Sequence, residues 1–136
     1  MKYFTSKELG CTSDNYTCMD PIFLDWLGAV RAYANVPFII NSGYRTVEHN
    51  TEVGGVEDSA HIKGMAVDIK CTDSATRYKI LKACFFAGIP DHILKQIKEH
   101  EESTGRVSIP RIGIGDTFIH IDIDDSKPQD VIWLYN

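Results

Sequence analysis

Residues 118–123 read Phe-Ile-His-Ile-Asp-Ile, and this strict alternation limits what the chain can fold into more than any other stretch. In an extended strand successive side chains point to opposite faces. Ile119, Ile121 and Ile123 therefore share one face, and Phe118, His120 and Asp122 the other. The isoleucine face belongs in a core. The opposite face then carries an imidazole and a carboxylate side by side, as the floor of a site. A second segment has the same character. Met65-Ala66-Val67-Asp68-Ile69 is strand-like, and its lone carboxylate between Val67 and Ile69 is costly to bury without a partner. His61 stands on the loop side just before it. Taken singly, Asp68 reads as a solvent-facing residue and His120 as an exposed or satisfied histidine. Two polar clusters that both interrupt apolar strands favour a joint role. His61, Asp68 and His120 form a set of two nitrogens and one oxygen. Three protein ligands with one open position is the pattern of catalytic zinc, whereas closed four-ligand sites are structural.

The remaining elements follow from local signals. Asp20-Pro21 opens a helix, with Asp as N-cap and Pro at the first helical position. Phe23, Leu27, Val30 and Ala34 continue one apolar face, so a helix is expected over 21–34. Phe38-Ile39-Ile40, closed by Ser42-Gly43, reads as a short buried strand. Residues 44–63 are polar, contain Gly54-Gly55 and read as a long loop with one helical turn; a loop of that length inside a domain is usually functional or disordered. Thr72-Asp73 starts a second helix with Tyr78, Leu81 and Phe85 on one face, ending at Gly88. Pro90-Asp91 starts a third, running to about Glu101, followed by a polar turn at 103–105. Residues 111–115 and 118–124 read as strands joined near Gly115-Asp116, and Val131–Tyr135 as a last strand. The expected fold is α+β: a single domain over 1–136, with a small antiparallel sheet and flanking helices.

Composition narrows the function classes. The 136 residues carry 14 Lys+Arg against 19 Asp+Glu, a net charge of −5, which argues against a dedicated nucleic-acid binder. No apolar stretch approaches the roughly 20 residues of a membrane-spanning helix. The first residues, Met1 to Glu8, lack the apolar core of a signal peptide, so a protein cytoplasmic as synthesised is expected. Cys11, Cys18, Cys71 and Cys84 are too sparse for a disulfide scaffold and read as ordinary thiols, with Cys11–Cys18 as a local pair in reserve.

Ser42-Gly43-Tyr44-Arg45, His49-Asn50, Val53-Gly54-Gly55, Ser59-x-His61-x-x-Gly64-x-Ala66-x-Asp68 and Phe118-x-His120-x-Asp122 together resemble the zinc D-Ala-D-Ala carboxypeptidase family. That family includes phage and bacterial peptidoglycan peptidases, and its superfamily takes in lysostaphin-type endopeptidases and the hedgehog signalling domain. The resemblance runs from Phe4 to the Trp133-x-Tyr135 ending. It implies Zn2+ held by His61, Asp68 and His120. It implies Arg45 as the residue that steadies substrate and developing oxyanion, and Ser59 beside the substrate's peptide end. Many relatives carry an acid three residues before the last zinc histidine, where this chain has Thr117. Asp116 is the expected general base, with Asp122 as its substitute. Residues 89–108 look like an insertion, either a flap over the cleft or an extra helix.

The implied activity is hydrolysis of peptidoglycan stem peptides, by a D-Ala-D-Ala carboxypeptidase or a muralytic endopeptidase. An endolysin-like, phage-encoded enzyme acting on the wall after release would suit such a domain. The alternative is a non-catalytic zinc-binding recognition module, as in the hedgehog relatives, and the departure at 117 supports it. Around the site, His49 either partners a ligand or closes a loop, and Asn50 is expected to bond loop backbone. The glycines at 54, 55 and 64 are expected to shape the loop. His92 and His100 are expected to be solvated, as are Lys95, Lys98, Glu99, Glu101 and Glu102. Trp133 and Tyr135 are expected to be packing residues.

Overall fold

Helix α1 (Pro21–Ala34) forms where its signals place it. The Asp20 carboxylate accepts from the N–H groups of Ile22 and Phe23, and Asn35 closes the helix in the left-handed conformation. Its inward face is Phe23, Trp26, Leu27, Val30 and Ala34. The computed structural model describes residues 2–87 and 110–135, with Lys95 and Glu99 between them. The expected helix from Pro90, the turn at 103–105, the 89–108 insertion, His92, His100, Lys98, Glu101 and Glu102 lie outside the described residues. Lys95 and Glu99 are exposed.

After α1 come β1 (Ile40–Ser42), α2 (Val47–Glu52), β2 (Ala66–Lys70), α3 (Ser74–Phe86), β3 (Arg111–Ile114), β4 (Phe118–Asp122) and β5 (Ile132–Leu134). The five strands form one sheet in the order β1-β2-β4-β3-β5. All pairs are antiparallel except β3–β5, which run parallel. The α+β reading holds, with that one parallel pair at the edge. Ile119, Ile121 and Ile112 are fully buried against the helices, together with Val67 and Ile69. The alternation in β4 therefore sends its isoleucines where expected.

Two local expectations need correction. The first strand begins at Ile40, not Phe38: Phe38 is buried but Ile39 is exposed, and the register is irregular between Ile40 and Ser42. Pro37 just upstream suits such a short edge strand. Helix α3 buries Ile80, Ala83 and Cys84, while Tyr78 and Phe85 face solvent. Leu81 is partly buried against the core as expected, while Ala83 and Cys84 beside Ile80 take the inward positions in place of Tyr78 and Phe85.

Cys11 and Cys18 form a disulfide, while Cys71 and Cys84 are free and buried. The expectation of four ordinary thiols is thus corrected. The N-terminal segment folds back at residues 5–11 and 16–19, which brings the two cysteines together across a 7-residue separation. The same segment braces the site from behind. Leu9 O accepts from Tyr44 N at 2.8 Å, and Asp20 N donates to Gly64 O at 3.0 Å. Gly64 has φ +68°, and a Cβ there would stand 2.2 Å from Cys18 O. Only glycine fits this turn.

Candidate metal centre

One row of residues crosses the whole sheet. Ser42 pairs with Asp68, Asp68 with His120, His120 with Gly113, and Gly113 with Trp133. Neighbours in register share a face, so all five strands place this row on the side opposite the isoleucines. The loop before β2 adds His61. Its N–H groups and those nearby are used in the 59–65 turns, which close Ile62 on Ser59 and Gly64 on His61. Lys63 pins that loop to the turn after β4, with Nζ 3.1 and 2.9 Å from the Asp124 oxygens and 2.9 Å from Ser126 Oγ.

His61, Asp68 and His120 converge, with one ligand atom from each lying within 4.8 Å of the others. Asp68 Oδ1 is 3.3 Å from His61 Nε2 and 2.8 Å from His120 Nδ1. The far nitrogens are occupied. His61 Nδ1 donates to the Gly43 carbonyl at 2.7 Å, and His120 Nε2 donates to Asp122 Oδ2 at 2.6 Å. A carbonyl can only accept, so His61 carries a proton on Nδ1, and Nε2 is the nitrogen left to bind a metal. Asp122 likewise keeps the proton of His120 on Nε2, leaving Nδ1 as the donor to a metal. Such outer partners fix tautomer and orientation in metal sites. Ligand bonds of about 2.0–2.1 Å in a tetrahedron need donors about 3.3 Å apart. The two spacings from Asp68 need only small adjustment, and the donor set fits a divalent ion.

Electrostatics agrees with the geometry. Burial pushes the Asp68 carboxyl upward, but hydrogen bonds from His120 and His61, and their charges, outweigh it and hold the group well below the usual carboxylate range. Burial alone would lower His120, yet its bonds to Asp122 and Asp68 raise it.

The cluster opens into a cavity of about 450 Å3 lined by Arg45, Ser59, His61, Asp68, His120 and Asp122 at its base. Arg45 is aimed by its neighbours. Nε donates to Ser42 Oγ at 3.1 Å, Nη1 to Asn50 Oδ1 at 3.3 Å, and Nη2 lies 3.7 Å from Asp68 Oδ2. Asn50 is buried and also donates to Val56 O at 2.8 Å, the loop-backbone role expected of it. A Cβ on Gly55 would stand 2.1 Å from Asn50 Oδ1 and 3.1 Å from Arg45 Nη1, so the Gly54-Gly55 pair does shape this loop. Ser59 is buried on the cavity wall, and its Oγ accepts from His61 N at 3.2 Å. His49 is exposed and faces Glu52 at 3.6 Å, away from the ligands.

Asp116 is exposed in the turn between β3 and β4 and does not line the cavity. Asp122 does line it, but its oxygens are engaged: Oδ1 accepts from Arg111 Nε at 2.9 Å and Asp124 N at 3.0 Å, and Oδ2 from His120. Neither carboxylate stands as a free base in the cavity. Trp133 and Tyr135 are not mere packing. They line the cavity, with Trp133 5.5 Å from the His120 ring and Tyr135 5.0 Å from that of Phe118. Gly113 makes room for them, since a Cβ there would stand 2.6–2.7 Å from both rings. Their alternation with the exposed Leu134 was the available signal; the parallel pairing that turns them toward the site was not legible locally.

A small α+β domain with a His-Asp-His cluster in an open cavity is the frame of a metallopeptidase. The Peptidase M15 family model matches residues 2–122, and the chain belongs to that family. Membership implies a zinc metallopeptidase acting on a peptide. No curated protein matches the chain. Among the described residues no helix is long and apolar enough to cross a membrane.

Proposed function

We propose that this chain is a zinc-dependent hydrolase of peptidoglycan stem peptides, a D-Ala-D-Ala carboxypeptidase or a muralytic endopeptidase. The observation that carries the reading is the convergence of His61 Nε2, Asp68 and His120 Nδ1, with both far nitrogens already bonded. Zinc held there supplies Lewis acidity, polarising a peptide carbonyl and acidifying a water at neutral pH.

The chain's own groups supply binding and orientation. Arg45 commits two N–H groups to Ser42 and Asn50, and its planar fork faces the cavity. It binds a substrate carboxylate or the developing oxyanion through paired hydrogen bonds. Ser59 donates its hydroxyl proton to the peptide backbone beside the bond to be cut. Asp122 keeps His120 in its donor orientation. Asp116 takes the general-base role only if substrate draws the β3–β4 turn over the cavity. A protein made in the cytoplasm and acting on the wall after release, as a phage lysis enzyme does, suits this activity.

The second reading is a zinc-binding recognition module without catalysis. It is favoured by one observation: the described cavity holds no carboxylate that is neither ligand nor fully bonded. Digestion of purified muropeptides by the zinc-loaded protein, with product analysis by mass spectrometry, separates the two. New stem-peptide fragments that vanish in Arg45→Ala establish the hydrolase. Stoichiometric zinc with intact muropeptides establishes the module.

A further inference from the structure

We propose that Arg111 is a positioning residue that fixes the metal ligand His120 and the aromatic cavity wall in one step. The inference rests on the zinc-site reading above and extends it to a residue outside the ligand set. Arg111 sits on β3 directly opposite Asp122 of β4, with side chains on the same face. Its Nε is 2.9 Å from Asp122 Oδ1, and Asp122 Oδ2 is 2.6 Å from His120 Nε2. The carboxylate is thus a rigid bridge between guanidinium and imidazole. Asp122 is 1% exposed and Arg111 11%, so water competes poorly for either group. The same guanidinium lies over the Trp133 ring, 5.0 Å from its centre, and its Nη1 donates to the Pro128 carbonyl.

These contacts meet different needs. The bond to Asp122 holds that carboxylate in the rotamer that reaches His120. The bond to Pro128 holds the chain between β4 and β5. The stacking holds Trp133, which lies beyond the residues the family model matches. A lysine could offer a charge to Asp122, but it has no plane for Trp133 and no rigid fork to reach Asp122 and the Pro128 carbonyl together. Arginine at 111 therefore ties the strand that carries His120 to the strand that forms the wall. Partners of this kind typically alter metal affinity by about 10–100-fold when removed.

The test is a double-mutant cycle on zinc affinity, read by chelator competition, with Arg111→Gln, Asp122→Asn and the pair. Each single change is expected to weaken zinc by about 10-fold or more. The pair is expected to be no weaker than the worse single variant, because Arg111 acts through Asp122. The zinc-loaded parent is also expected to show a slowly exchanging His120 Nε2 proton by NMR, exchanging faster in Arg111→Gln. Full additivity, or parental affinity in Arg111→Gln, overturns the inference. If Arg111→Gln fails to fold, Arg111→Lys replaces it: a zinc loss of several-fold supports the role, and parental affinity overturns it. A folded parent that binds no zinc overturns the metallopeptidase reading together with this one. A zinc-binding parent with an indifferent Arg111 overturns this one alone.

Discussion

Asp68 Oδ1 and His120 Nδ1 meet at 2.8 Å across the β2–β4 ladder, between residues 52 apart in sequence. Antiparallel register makes the contact. With His61 Nε2 at 3.3 Å from the same oxygen, one carboxylate holds two imidazoles at a single point.

Zinc is expected at one per chain, and His61→Ala and His120→Ala are each expected to abolish stoichiometric binding, measured by atomic absorption after dialysis. Protons compete with the metal. Because His120 is raised above the ordinary imidazole range, its metal-binding nitrogen is blocked earlier as pH falls. Zinc affinity is therefore expected to drop with falling pH from above the usual histidine value, and to level off at alkaline pH.

Gly64→Ala is expected to destabilise the fold by about 2 kcal/mol or more, since it combines a left-handed residue with a Cβ against backbone. Urea melts check this. Gly55→Ala is expected to act differently. Its Cβ meets the far end of Asn50 and crowds Arg45, so turnover should fall while the melting temperature changes little.

Ile121 and Leu134 give a paired test of the sheet's two environments. Ile121 is fully buried, and Ile121→Ala is expected to cost about 2–5 kcal/mol. Leu134 is 74% exposed, and Leu134→Ala is expected to stay within about 0.5 kcal/mol. Denaturant titration of both variants checks the orientation of β4 and β5.

The cysteines separate by reactivity. Burial pushes the Cys84 thiol up to about 12, so the native protein should resist alkylation there at neutral pH. In the unfolded chain this thiol ionises near its ordinary value of 9.0. Above that pH the unfolded state binds fewer protons than the native one, and this group's contribution to stability falls until the folded value is reached. In denaturant, two thiols should titrate before reduction and four after it, because Cys11 and Cys18 are paired.

Asp68 and His120 of the candidate cluster were legible because their physics is local, whereas His61 lies in a loop outside the strand pattern. His120 and Asp122 interrupt an alternating isoleucine strand, and Asp68 interrupts an apolar one, so the faces follow from the two-residue period. The Asp20-Pro21 cap gave α1 to the residue. Local pattern failed where size and hydrophobicity part company. In α3 the aromatic Tyr78 and Phe85 are outside, and Ile80, Ala83 and Cys84 form the inward face.

What the sequence by itself determined is which residues form the candidate cluster, the core face of β4 and the α+β class. Tertiary structure alone decided which groups serve those donors. The Gly43 carbonyl behind His61, Asp122 behind His120 and the Cys11–Cys18 pair all depend on segments brought together by folding. The exclusion of Asp116 from the cavity and the turning of Trp133 toward it depend on strand order and the parallel β3–β5 pairing. Pairing order is a property of the whole sheet, set by competition among all its strands for core burial. No window of sequence shorter than the sheet contains it.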